Sequence, residues 1–255
     1  MPQPLLLIDN LHKAYNRHPA LKGLSLTVAA GEIVGFIGPN GAGKTTTIKI
    51  AAGLAFADSG SVSVAGHVLN RGPASTKAAK SALGLLPDRP YLYEKLTCRE
   101  YLYFIAGLYR VPRAAATRHL DEMAARFRMN DYVDRPIDSM SHGMKQKTAL
   151  AGALVHQPPV FICDEPLVGL DPHGAKEFKT LLDDLRKQNR AVLMSSHTLD
   201  LVEQVCDRVV ILGHGEKLAE GTVAEIKAKA HRDATLEELF LQMTEEESTA
   251  GPAPK

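Results

Sequence analysis

The chain has 255 residues, 45% of them hydrophobic and 23% charged, with 20 Gly and 15 Pro. These ordinary values exclude a disordered or collagen-like chain. Lys and Arg number 30 against 29 Asp and Glu, a formal charge of +1, so no overall field draws in nucleic acid or an anionic membrane and phosphate recognition has to be local.

The apolar run Leu5 to Ile8 has no basic flank before it and no small-residue cleavage site after it, so it reads as part of a strand rather than a signal peptide. Short β-like runs follow through the first 75 residues: PLLLIDNL, LKGLSLTVAAGE, EIVGFIG and GSVSVAGHVL. The stretch Ile33 to Ile37 is almost wholly apolar and ends in glycines, as a strand buried on both faces does. Residues 90–155 carry almost no strand signal. There Thr97-Cys98-Arg99-Glu100 is a capping box opening a helix over YLYFIAGLYR, and a second helix is expected from Ala114 to Met129. The block reads as a helical subdomain inserted into the sheet. Its apolar stretch Tyr101 to Tyr109 is far short of the roughly 20 residues that cross a bilayer.

Buried strands are expected again at Val160 to Cys163 and Ala191 to Met194, and Arg208 to Leu212 turns back at Gly213-His214-Gly215. Between them Asp171-Pro172 opens a helix over His173 to Gln188, with Phe178, Leu181, Leu182 and Leu185 at helical spacing. Thr222 and Thr235 cap two further helices, and from Thr244 the chain is polar and expected to be disordered. The domain reading is one unit over 1–225, a helical extension over 226–243 and a tail over 244–255. Cys98, Cys163 and Cys206 are odd in number and form no disulfide framework, which fits a reducing, cytoplasmic setting. The ten His show no ligand-like spacing.

The chemistry concentrates at the ends of the apolar strands. Gly38, Pro39, Asn40, Gly41, Ala42, Gly43, Lys44, Thr45 and Thr46 have the spacing of a phosphate-cradling loop, set between a buried strand and a helix. Glycines let successive N–H groups curl around an anion, and the helix points its partially positive N-terminus at the same place. Lys44 then reaches the β- and γ-phosphates while the Thr45 hydroxyl ligates Mg²⁺. Asp164 ends the strand VFICD where a metal-bound triphosphate needs a carboxylate, and Glu165 beside it is placed to take a proton from an attacking water. His197 follows AVLMSS at the edge where open α/β sheets bind ligands, and reads as a donor to the γ-phosphate.

These segments resemble the ATP-binding cassette (ABC) ATPases from about Leu5 to Gly221. The discriminating element is Met140-Ser141-His142-Gly143-Met144-Lys145-Gln146, which looks like the family's signature loop at the head of a helix. The resemblance implies an α/β fold, with a P-loop (RecA-like) core, an antiparallel β subdomain and the inserted α-helical subdomain. It also implies that Ser141 and Gly143 close over ATP held by a second subunit, and that the loop Gly169-Leu170-Asp171 communicates across that dimer. Tyr15 sits where an aromatic ring stacks on adenine. Two departures stand out. Asp88 replaces the usual Gln near Mg²⁺ and the attacking water, and His142 and Met144 replace the usual Gly and Gln of the signature. The run SHGMKQK, with LPDRPYLYEKLTCREYLYFIAGLY, is similar to the ATPase subunits of bacterial exporters with separate permeases.

The resemblance therefore implies a transport-coupled ATPase using ATP and Mg²⁺, held by Thr45, Asp164 and Asp88. Its expected partners are an integral-membrane permease, docked near Tyr91 to Glu94, and a second ATP-binding subunit. Nucleic acid is not an expected partner, and the place is the inner face of the cell membrane. Two alternatives remain at this level: a soluble ABC ATPase acting on nucleic acid or the ribosome, and an ATP-binding regulator without turnover.

Overall fold

The computed structural model describes residues 4–229. The helix expected at Thr235, most of the 226–243 extension and the 244–255 tail lie outside the described residues.

Period-two alternation sets the first layer. β1 (Pro4–Tyr15) buries Leu6, Ile8 and Leu11, and β2 (His18–Ala29) buries Leu24, Leu26 and Val28, so that one face of each strand is apolar. Asn16 and Arg17 join them with φ values of 48° and 67°, the left-handed pair that matches strand twist in a tight hairpin. β4 (Ser59–Val64) pairs with β1, and β5 (His67–Val68) with β4, closing an antiparallel sheet of order β2-β1-β4-β5.

The second sheet holds the site. β3 (Ile33–Ile37), β6 (Leu83–Leu86), β7 (Val160–Asp164), β8 (Ala191–Ser195) and β9 (Arg208–Gly213) run parallel, and β10 (Glu216–Gly221) returns antiparallel along β9. The order is β10-β9-β3-β8-β7-β6. Every residue of β3, β7 and β8 is buried, because both faces are covered. Val34, Phe36, Ile162 and Leu193 face a core shared with the antiparallel sheet and α1 (Lys44–Ala51). Ile33, Phe161, Cys163 and Met194 face the other core, which includes α6 (Pro172–Lys187) and α7 (Leu199–Val205).

The helical insertion falls between β6 and β7. α3 (Cys98–Leu108) begins at the expected capping box, with Thr97 Oγ1 accepting from Glu100 N at 3.1 Å and Glu100 Oε2 accepting from Thr97 N at 2.8 Å. α4 (Arg113–Phe127) stops where Arg128 turns left-handed at φ 54°, and α5 (His142–Leu154) follows. Cys98, Leu102, Leu120, Phe127 and Leu150 pack the subdomain and join the α6 core. α2 (Pro73–Ser81), which buries only Ala79, and α8 (Val223–Lys229) complete the described elements. No helix among the described residues is long and apolar enough to cross a membrane.

Candidate active site

β3 ends on the site and hands the chain to α1 through the glycine loop. Gly43, at φ 108°, is the N-cap of α1, and a Cβ there would lie 2.7 Å from the Ala20 carbonyl oxygen, so only glycine fits this approach. No side chain caps α1. The first N–H groups of a helix have no intrahelical partner, so those of Lys44, Thr45 and Thr46 are left for an anion at this end. Lys44 folds back over the loop, its ammonium donating to the carbonyl oxygens of Gly38 and, at 3.0 Å, Pro39. Burial pulls Lys44 below the ordinary lysine range, and the charges of Glu165 and Asp164 pull it back.

β7 and β8 place the acids. Asp164 is the last residue of β7 and almost fully buried; it accepts from Thr45 Oγ1 at 3.3 Å and from the Ser195 hydroxyl at the end of β8. Glu165 has φ 49°, a left-handed turn that bends the chain off the strand, and its N–H donates to the Ser195 carbonyl at 3.1 Å. Its Oε2 lies 2.7 Å from His197 Nδ1.

A cavity of about 390 Å³ gathers these groups. Asn40, Gly41, Gly43, Lys44, Thr45 and Thr46 form one wall, and Asp88, Asp164, Glu165 and His197 stand across it. Gly38, Pro39 and Ala42 do not line it: the first two offer their carbonyl oxygens to Lys44, and Ala42 is buried. The donor set fits a triphosphate with a hard divalent cation: free N–H groups and one ammonium for phosphate oxygens, and hydroxyl and carboxylate oxygens for the metal.

Other sequence-predicted residues stand apart from this cavity. Tyr15 is 46% exposed at the β1–β2 turn, with the Lys13 ammonium 5.3 Å from its ring centroid. Ser141 caps α5, its Oγ accepting from Met144 N at 3.3 Å, and it is exposed beside Gly143. Asp171 occupies the N-cap position of α6 without a side-chain capping bond, and pairs with Lys147 at 2.8 Å. The structure adds Ala20, Val168 and Ser195, which the sequence did not single out. Ala20 and Val168 line the cavity, and Ser195 holds Asp164. For Ser195 the signal was a polar pair closing an apolar run.

Comparison with known proteins gives the family. The ABC transporter family model matches residues 21–168. The chain is 35% identical over 245 residues to the ABC-type transporter ATP-binding protein EcsA of Bacillus subtilis (strain 168), covering 96% of this chain and 98% of that protein. It is 33% identical over 223 residues to the ABC transporter ATP-binding protein NatA of the same organism, covering 87% and 89%. A solved structure of an ATP binding subunit of an ABC transporter superposes with a TM-score of 0.88 at 34% identity, over 94% of this chain and 99% of that one. A dimeric ATP-binding cassette in a post-hydrolysis state, bound to ADP and Pi, shares the fold at a TM-score of 0.76 and 24% identity, over 85% and 98%. A phosphate loop, two strand-end acids and a histidine in one cavity, matched along nearly the whole chain by such relatives, mean that this protein belongs to the ABC transporter family, as an ATP-binding, ATP-hydrolysing subunit.

Proposed function

We propose that two ATP-binding subunits of this kind close head to tail over two ATP molecules and drive a separate membrane permease, in the export direction. The observation that carries the dimer is the division of the site. The cavity holds Lys44, Thr45, Asp164, Glu165 and His197, while Ser141 and His142 stand exposed at the head of α5, outside the residues that line that cavity. A helix N-terminus with an exposed hydroxyl supplies the donors that a γ-phosphate held by a partner's Lys44 still lacks on its open side.

Within one cavity the residues divide the work. The loop N–H groups and Lys44 hold the β- and γ-phosphates. Thr45 and Asp164 would hold Mg²⁺, with Asp88 reaching it through water. When bound, Mg²⁺ would neutralise the charge that develops on the phosphates. Glu165 takes the proton of the attacking water, since its carboxylate is fixed by His197 and its turn points it into the cavity. His197 orients the Glu165 carboxylate through Nδ1 and presents Nε2 toward the γ-phosphate. Tyr15 stacks on adenine, and Asp171 belongs to the partner-facing surface.

The permease reading rests on a second feature. A groove of about 380 Å³ runs between the β6 edge and α3 and α5, lined by Leu54, Pro90, Tyr101, Leu108 and Tyr109, with Tyr91 94% exposed at its rim. Apolar grooves of this shape take an amphipathic helix. The chain then sits peripherally on the cytoplasmic face of the membrane.

Glu165→Gln tests the central claim. The variant is expected to bind ATP, to lose turnover by about 10²-fold or more, and to run as an ATP-dependent dimer in size-exclusion chromatography. Hydrolysis at the wild-type rate would remove Glu165 from this role.

A further inference from the structure

Two stretches of the chain carry cations and no acid. Residues 59–87 contain Arg71, Lys77 and Lys80, and residues 101–120 contain Arg110, Arg113 and Arg118, with no Asp or Glu in either. The fold brings the two stretches together. α2 packs on β4, β5 and β6, and its Thr76, Lys77, Lys80 and Ser81 line one hollow of about 530 Å³ with Leu108 and Tyr109 at the end of α3. Lys80 also lines the neighbouring groove, where its stem passes the Gly53 turn: a Cβ on Gly53 would lie 2.7 Å from Lys80 Cε. Arg71 precedes α2 and Arg110 follows Tyr109, both exposed. No acidic side chain lines either hollow.

These charges are also unmatched. Exposed lysines elsewhere are tied, Lys22 to Glu216, Lys95 to Asp138 and Lys187 to Asp183. Arg71, Lys77, Lys80 and Arg110 have no acidic partner among the described residues. The acids that bound the first stretch are engaged elsewhere, Asp58 by Lys13 at 2.8 Å and Asp88 in the ATP cavity. Arg113 lies over the Tyr103 ring, 4.0 Å from its centroid, and does not belong to the patch. Leu54, Tyr91 and Leu108 share the groove with Lys80 and are 66%, 94% and 64% exposed. Free cations beside exposed aliphatic and aromatic side chains make a surface suited to a lipid headgroup layer. The four cations are spread over two elements, so they match an extended sheet of negative charge better than one small anion.

We propose that the surface formed by α2 and the end of α3 rests, through Arg71, Lys77, Lys80 and Arg110, on the anionic phospholipid headgroups beside the permease. The proposal deepens the peripheral location of the preceding section and takes from it only which face meets the bilayer. Each Lys or Arg held near an anionic leaflet strengthens binding about fivefold. The attraction fades over a Debye length, about 10 Å at 0.1 M salt, so only cations on the facing surface contribute.

Flotation of the full chain with permease-free vesicles tests this. Binding is expected to vesicles of equal parts phosphatidylglycerol and phosphatidylcholine at about 0.1 M salt, with release at about 0.5 M, and not to phosphatidylcholine alone. The triple variant Arg71→Gln, Lys77→Gln, Lys80→Gln is expected to lower the partition coefficient about 100-fold, and Lys77→Arg with Lys80→Arg to keep it. A control triple, Arg128→Gln, Arg135→Gln, Lys176→Gln, removes the same charge from exposed positions outside both hollows and is expected to bind like the wild type. Unchanged mant-ATP affinity shows that the variants fold; if the first triple loses it, Lys77→Gln alone carries the test, with about a fivefold loss. A wild type that ignores anionic vesicles or binds neutral ones equally, or a control triple that loses as much as the first, would overturn the proposal. Tighter binding to poly(U) RNA than to the vesicles at the same salt would overturn the lipid assignment too. Because the vesicles hold no permease, each of these failures leaves the docking of a permease helix in the groove untouched, and failure of that docking leaves the vesicle result as it stands.

Discussion

Asp88 stands in the cavity with Lys44 and Glu165, at the place where the resembled family carries a neutral Gln. A carboxylate accepts hydrogen bonds and donates none, so Asp88→Gln adds a donor and removes a charge in the cavity that Glu165 lines. The variant is expected to change the steady-state ATPase rate several-fold; an unchanged rate would leave the 86–88 loop a connector only. Lys44→Ala removes the ammonium proposed to face the phosphates and is expected to weaken ATP binding at least tenfold, read by equilibrium binding of a fluorescent nucleotide. Ser195 offers a third check at this scale. Its hydroxyl fixes the Asp164 carboxylate from the end of the neighbouring strand, so Ser195→Ala is expected to raise the Mg²⁺ concentration for half-maximal activity several-fold with the fold intact.

Local sequence chemistry governed which elements could be read before the structure. The Thr97 capping box was legible because both of its bonds join residues three apart. Thr97→Ala is expected to cost about 1 kcal/mol of stability, measured by denaturant midpoint at constant m-value. Leu102, fully buried on the same helix, is expected to cost about 2–5 kcal/mol when cut to Ala. The buried strands β3, β7 and β8 were legible as apolar runs for the same local reason. The elements the sequence reading did not single out, α2, β6, α7 and β10, lack such a signature. α2 buries a single alanine, and β10, at a sheet edge, carries Glu216, Lys217 and Glu220 and buries only Gly221. Their formation depends on neighbours supplied by the fold, namely β7 beside β6 and β9 beside β10.

Across the whole molecule, the junction between the sheet and the helical insertion carries a pH dependence. His156 stacks on Tyr109 with ring centroids 3.7 Å apart and bonds the Leu83 carbonyl, and burial lowers its pKa to about 4. Burial lowers His119 as well. Between about 6.5 and about 4 the unfolded imidazole of His156 binds a proton that the folded one refuses, so this contribution is complete above pH 6.5 and is lost as pH falls toward 4. Thermal unfolding across that range should show His156→Phe, which keeps a ring against Tyr109, losing less stability on acidification than the wild type. An equal loss in both would remove His156 from the acid response. The sequence by itself determined the glycine loop before α1, the acids Asp164 and Glu165 at the end of β7, the cap of α3 and the turn at the head of α5. Each of these is a pattern of neighbours along the chain, fixed by backbone geometry and strand periodicity. The tertiary structure alone decided that His197 Nδ1 lies against the Glu165 carboxylate, that Ser195 holds Asp164 and that Lys147 reaches Asp171. Those contacts join residues from different elements, and only the packing of helices on both faces of the parallel sheet brings their side chains within bonding distance.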